Sequence, residues 1–196
     1  MKVFAKSLGF AATALALTIF VAAEDTPRNS TASSDQLVAA TAELQHDLDA
    51  KTAKQGDTVT AKLSQAVHLS GTTLPRNTLL IGHIDAVQPS ENKGVSKVVL
   101  TFDQARLANG QQVAIKSTVV GVFPAGTQLV SPNLNSELKI DQEPSGAHGF
   151  GLTSSIADSN SGTLSANGKN VRLTSGTELQ FAVASGTGSA SSSTGN

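Results

Sequence analysis

Val95-Ser96-Lys97-Val98-Val99-Leu100-Thr101-Phe102-Asp103-Gln104-Ala105-Arg106-Leu107-Ala108-Asn109-Gly110-Gln111-Gln112-Val113-Ala114-Ile115-Lys116-Ser117-Thr118-Val119-Val120-Gly121-Val122 reads as two strands joined by one turn. Val, Ile, Leu and Thr recur with frequent alternation on both sides of Asn109-Gly110. An Asn-Gly pair supplies the positive φ angles of a type I′ hairpin turn. The expectation is an antiparallel pair of residues 98–107 with 111–122.

The same signature continues in both directions. Residues 58–69 and 78–87 have strand composition, and a second Asn-Gly pair, Asn167-Gly168, predicts a hairpin between 162–166 and 171–173. Residues 89–94 and 143–149 are polar connections carrying Pro and Gly. A short element recurs three times: Pro75-Arg76-Asn77-Thr78-Leu79-Leu80, Pro124-Ala125-Gly126-Thr127-Gln128-Leu129 and Thr174-Ser175-Gly176-Thr177-Glu178-Leu179. Each places Asn77, Gly126 or Gly176, residues that tolerate a left-handed backbone, just before Thr-x-Leu, so each is expected to be a turn that launches a strand. Repeated turn chemistry explains the element better than a repeated ligand loop.

Residues 35–51 leave two readings open. Leu37, Leu44 and Leu48 fall at helical spacing with Ser34 as a cap, whereas Ala42, Leu44 and His46 alternate as a strand does. The fold class expected is all-β, a distorted barrel or sandwich built from hairpins, with a possible short N-terminal helix. One domain spans 35–184, between polar, flexible segments at 24–34 and 185–196. Its core is expected to draw on Val59, Ala61, Leu63, Leu79, Ile81, Ile84, Val99, Phe102, Val113, Ile115, Phe123, Leu179 and Phe181.

At the N-terminus, Lys2 and Lys6 precede an apolar run over 8–20 that ends in Val21-Ala22-Ala23. A positive start, a short apolar stretch and small residues before the cut predict a secretory signal peptide over 1–23. The run falls short of the ~20 apolar residues of a comfortable bilayer span, so no membrane span is expected after cleavage. The whole chain has 14 basic and 15 acidic side chains, and loss of Lys2 and Lys6 brings the net charge from −1 to about −3. Without a basic excess, nucleic acid is not an expected partner. The chain has no Cys, which excludes a disulfide framework, a thiol nucleophile and an acylated lipoprotein anchor. It has no Trp or Tyr, which tells against a sugar-stacking platform and against the aromatic girdles of an outer-membrane barrel.

Chemistry is sparse. His46, His68, His83 and His148 stand 22, 15 and 65 positions apart, without the close pair that a zinc site normally supplies, so no metal or cofactor is expected. No Gly-x-Ser-x-Gly occurs, and residues 162–170 have one residue too many between their glycines for a phosphate loop. Asp103, Asp141 and Glu143 carry no spacing that separates a general acid and base from surface charge. The candidates for ligand binding are His83 and Asp85, on one face of Ile81-Gly82-His83-Ile84-Asp85, together with Arg106. Solvent-facing polarity is the competing explanation. The turn-forming residues are Pro75, Asn77, Asn109, Gly110, Gly126, Asn167, Gly168 and Gly176.

Leu48-Asp49-Ala50-Lys51, Gln55-Gly56-Asp57-Thr58-Val59-Thr60-Ala61, Leu74-Pro75-Arg76-Asn77-Thr78-Leu79-Leu80-Ile81-Gly82 and the Leu107-Ala108-Asn109-Gly110-Gln111 turn follow one another in an order that resembles the C-terminal β-domain of TrbI-like proteins, scaffolds of the type IV secretion and conjugation core complex. The resemblance covers residues 41–122. Asn77 stands where that family usually has Gly, a substitution a left-handed turn accepts. The chain lacks the Pro-rich stretch of those scaffolds and an internal apolar segment for a helical projection, and it carries a cleavable signal where they carry a membrane helix. The resemblance therefore implies a small free-standing exported bacterial version, without a pore and without catalytic or metal-binding residues.

The expected function is a non-catalytic envelope or periplasmic structural or protein-interaction module. Its expected partners are envelope proteins or further copies of itself, gained by strand addition at a sheet edge sparse in Lys, Glu and Pro. The alternative is a soluble module that binds a small molecule or polysaccharide in the barrel mouth. A hydrolase comes third.

Overall fold

The computed structural model describes residues 36–127, 129–135, 137–142 and 149–186. The predicted signal peptide at 1–23, the segment 24–34 and the Ser/Gly-rich end beyond Gly186 lie outside them. Thirteen strands and no helix occur among the described residues. They are β1 (Val38–Leu44), β2 (Leu48–Asp49), β3 (Thr58–Leu63), β4 (Val67–Leu69), β5 (Thr72–Leu74), β6 (Leu79–Gln88), β7 (Val95–Arg106), β8 (Gln112–Phe123), β9 (Lys139–Gln142), β10 (Gly151–Ser155), β11 (Gly162–Asn167), β12 (Arg172–Leu173) and β13 (Glu178–Ser185).

Six of these close on themselves in the order β6-β3-β1-β13-β8-β7, with β7 pairing back onto β6, and every pair is antiparallel. The fold is thus an all-β barrel. A strand's side chains alternate between its two faces, and the buried set follows that period: Ala40, Ala42 and Leu44 on β1, Val59, Ala61 and Leu63 on β3, Leu80 and Ile84 on β6. Small side chains on β1 and β3 share the core with Phe102 and Phe181, whose rings meet edge to face with centroids 5.2 Å apart and planes at 77°. The possible N-terminal helix is replaced by β1, because alternation wins where a partner strand stands on each side.

The hairpin at Asn109-Gly110 forms as expected, but its turn differs. Only Gly110 has positive φ (85°), Gly110 N–H donates to Leu107 O, and Leu107 N–H donates to Gln111 O. This is a three-residue loop with one left-handed glycine, in place of a type I′ pair. The second expected hairpin does not exist. β11 has both edges occupied, by β7 and β10, so β12 pairs instead with β2, Arg172 opposite Asp49 and Leu173 opposite Leu48.

The three recurring turns are all present. Asn77, Gly126 and Gly176 have φ of 67°, 75° and 82°, and the N–H of Thr78, Thr127 and Thr177 returns to the carbonyl of Pro75, Pro124 and Thr174. Two of them launch strands, β6 and β13, while among the described residues no strand begins beside Gly126.

β7 and β8 hold a ladder for only three residue pairs, Gln104 with Ala114, Ala105 with Val113 and Arg106 with Gln112, and then fork. The freed edge of β7, from Leu100 to Val95, takes β11, and β10 and β9 follow to make a wing off the barrel. Ser161 sits in the fork: its N–H donates to Leu100 O and its carbonyl accepts from Val119 N–H. The β4-β5 hairpin packs on β1 and β13, buries Val67, Leu69 and Leu74, and its Ser70 carbonyl accepts from Ser185 Oγ.

Eight of the expected core residues are buried, namely Val59, Ala61, Leu63, Ile84, Phe102, Ile115, Leu179 and Phe181. Leu79, Ile81, Val99, Val113 and Phe123 are only half-buried. On β6 the inward face belongs to Leu80 and Ile84, which turns Leu79 and Ile81 outward. The ring of Phe123 folds back over Gly121, where a Cβ would lie 2.5 Å from its Cε2.

Candidate functional site

Two bulges shape the outer face of β6 and β7. Ile81 pairs with Gln104 and Gly82 with Phe102, which leaves Asp103 as an extra residue on β7; Ile84 pairs with Leu100 and Ala86 with Val99, which leaves Asp85 as an extra residue on β6. A bulge kinks its strand and re-aims the side chain there. Gly82 permits the close approach, since a Cβ at that position would lie 2.2 Å from Thr101 O.

The re-aimed Asp85 carboxylate joins two neighbours. His83 Nε2 lies 3.0 Å from its Oδ1, and Thr101 Oγ1 donates to its Oδ2 at 2.6 Å. The sequence reading of His83 with Asp85 on one face therefore holds. Thr101 was not legible, because only the β6-β7 register sets it opposite His83. Arg106 does not join them: it pairs with Leu79, four positions along β6 from His83 and so about 13 Å away.

The order of the three groups decides their chemistry. In a hydrolytic triad an imidazole stands between hydroxyl and carboxylate and takes the hydroxyl proton. Here the carboxylate stands between, and the Thr101 proton points at Asp85. The His83 side chain is 43% exposed and that of Asp85 33%, so the cluster is a solvated polar ridge.

Surface crevices formed by the described residues include ones of about 170, 210 and 220 Å³. All are smaller than the ~300 Å³ at which small-molecule pockets usually begin. The first is lined by Asp47, Asp49 and Asp57 beside His46. Each carboxylate accepts a backbone N–H: Asp49 Oδ1 from Lys51 and Asp57 Oδ2 from Lys54 within local turns, and Asp47 Oδ1 from the distant Ser175. Among the described residues no three His, Asp or Glu side chains converge as metal ligands. His68 Nδ1 is 3.1 Å from Thr73 Oγ1 on the β4-β5 hairpin, and His148 and Glu143 lie outside the described residues. Asp103 and Asp141 are on β7 and β9, which do not pair with each other.

Closure of the barrel removes its edges, so the open sheet margin falls on the wing. Among the described residues no strand pairs with the outer edge of β9. An open edge poor in Lys, Glu and Pro was expected. Instead β9 carries exposed Lys139 and Asp141, with exposed Glu137 just before it. Charge on a short edge strand is a common protection against indiscriminate pairing. No family model, curated protein or solved structure matches the chain.

Proposed function

We propose that the protein is an exported, non-catalytic structural or protein-interaction module of the bacterial periplasm or envelope, a small free-standing counterpart of the TrbI-like β-domain. The observation that carries the reading is the filled barrel. Phe102, Phe181, Leu63, Leu80 and Leu179 are all at most 1% exposed, so the interior that a ligand-binding barrel would leave open is occupied by side chains. A scaffold of this kind works through its outer surface and its sheet margin. The apolar run over 8–20, preceded by Lys2 and Lys6 and ending in Val21-Ala22-Ala23, supports export.

The test is the native mass of the tagged protein in its own host, with soluble and detergent-extracted envelope pools compared by size-exclusion chromatography with light scattering. A large envelope-associated species is the expected result, and its components identify the partners. Recovery of the protein wholly in the soluble pool, with no species larger than its own self-association, overturns the reading.

A further inference from the structure

The open margin of the wing specifies its own occupant. β9 pairs with β10 in the register Lys139 opposite Ser155, Ile140 opposite Ser154, Asp141 opposite Thr153 and Gln142 opposite Leu152. Just before the strand, Ile156 N–H donates to Leu138 O at 3.2 Å. In an antiparallel ladder, successive residues turn their backbone groups alternately toward and away from a given neighbour. The Leu138 carbonyl, Ile140 and Gln142 therefore face β10, while Lys139 and Asp141 turn their backbone groups to the open side.

Only odd-numbered residues can then bond across a new antiparallel partner. If that partner is β9 of another molecule, a two-fold axis can lie at 139, 140 or 141. An axis at 139 sets Lys139 against Lys139 and Asp141 against Glu137. An axis at 141 sets Asp141 against Asp141. An axis at 140 sets Lys139 against Asp141 twice, both through bonding positions, with Ile140 against Ile140. Opposite charges across a strand pair attract and like charges repel, so within β9 itself only the axis at 140 sets both Lys139 and Asp141 against a charge of the other sign. Charges that repel most foreign strands thus become complementary toward a copy of the same strand.

We propose that β9 pairs antiparallel with β9 of a second copy of this chain, Lys139 opposite Asp141, to give a two-fold dimer that continues the wing sheet from one molecule into the next. The proposal rests on the reading of the chain as an interaction module and names one of its partners. A four-residue strand buries far less than the ~1,200 Å² of a standard interface, which places the contact among the weak, transient ones, and the concentrations that bear on it run from about 10 µM to 1 mM.

The experiment is sedimentation velocity of the full chain, purified as its host processes it, over that concentration range. The wild type is expected to dimerise. Lys139→Asp and Asp141→Lys should each weaken the dimer at least about tenfold, because each sets like charges opposite one another twice. The two variants mixed should form a heterodimer, and the double swap Lys139→Asp/Asp141→Lys should dimerise again. Circular dichroism of each variant reports whether it is folded. A monomeric wild type throughout overturns the proposal, as does a dimer indifferent to these charges or one that mixing fails to restore. An isolated chain that stays monomeric yet sits in a large envelope species would sink self-pairing and leave the module reading standing; a dimer confined to the soluble pool would do the reverse.

Discussion

Ser117 and Ser161 close a ring of hydrogen bonds around the backbone of Phe102. Phe102 N–H donates to Ser161 Oγ at 2.8 Å, Ser117 Oγ donates to Phe102 O at 2.7 Å, and the two hydroxyls are 3.0 Å apart. Since the Ser117 proton is spent on the carbonyl, Ser161 donates to Ser117. The ring stands where β8 leaves β7, so two hydroxyls replace the ladder partners that Phe102 loses at the fork. Both serines are buried, at 5% and 1% exposure.

Ser161→Ala leaves the Phe102 N–H without an acceptor in the core and should cost about 1–3 kcal/mol. Ser117→Ala should cost a similar amount by orphaning the carbonyl. The double variant should lose less than the two single losses combined, because the second deletion breaks a ring already open. Urea unfolding of the four proteins tests this, and strictly additive losses would mean that the hydroxyls act independently.

What the sequence made legible was local. The Asn109-Gly110 hairpin and the turns at Asn77, Gly126 and Gly176 each depend on a few consecutive residues and on one left-handed backbone, and all formed. Asn167-Gly168 carries the same signal as Asn109-Gly110 yet makes no hairpin, because β10, joined to β11 by a short loop, and the distant β7 claim both edges of β11. Closure of the barrel by β1 on β13 has no local mark either. Of the candidate site, His83 and Asp85 were readable from alternation, whereas Thr101 needed the register of β6 on β7, and the distance to Arg106 needed the same. Leu79 and Ile81 have core composition but stand on the outward face, because alternation along β6 sets Leu80 and Ile84 inward.

Gly82→Ala should be among the most damaging single-methyl substitutions in the barrel. Its Cβ would lie 2.2 Å from Thr101 O and 2.8 Å from Phe102 Cδ1, between a backbone carbonyl and a core ring that cannot both yield. Overpacking of this kind costs about 3 kcal/mol. Gly56→Ala, in open space with φ of 86°, should cost only about 1 kcal/mol through backbone strain. Thermal unfolding of the two variants compares them, and equal losses would contradict the close approach.

Asn77 holds the left-handed position of the turn before β6, with φ of 67°. Asn77→Gly should be neutral within about 0.5 kcal/mol, since glycine reaches this conformation freely. Asn77→Ala should cost about 1 kcal/mol or more. Chemical denaturation separates the cases; an alanine variant as stable as wild type would show that the turn can flip without loss.

Phe102 and Phe181 join β7 to β13 across the core by their edge-to-face contact. Each truncation to Ala should remove about 3–5 kcal/mol. Beyond burial, a double-mutant cycle through Leu at both positions should return a coupling of about 0.5–1.5 kcal/mol. A coupling near zero would assign the pair to packing volume alone.

Asp85 tests whether the polar ridge on the barrel wall holds the fold together. Its carboxylate takes one bond from Thr101 and faces His83, but the His83 and Asp85 side chains stay substantially in water. Exposed ion pairs contribute at most about 1 kcal/mol, so Asp85→Ala and His83→Ala should each change the unfolding free energy by less than that. The bulge survives these substitutions because it is set by the pairing of Ile84 with Leu100 and Ala86 with Val99, which involves no side chain of the ridge. A loss above about 2 kcal/mol on Asp85→Ala would instead make the carboxylate a strut for the bulge, and Asp85→Asn, which keeps an acceptor for Thr101, would then recover most of it.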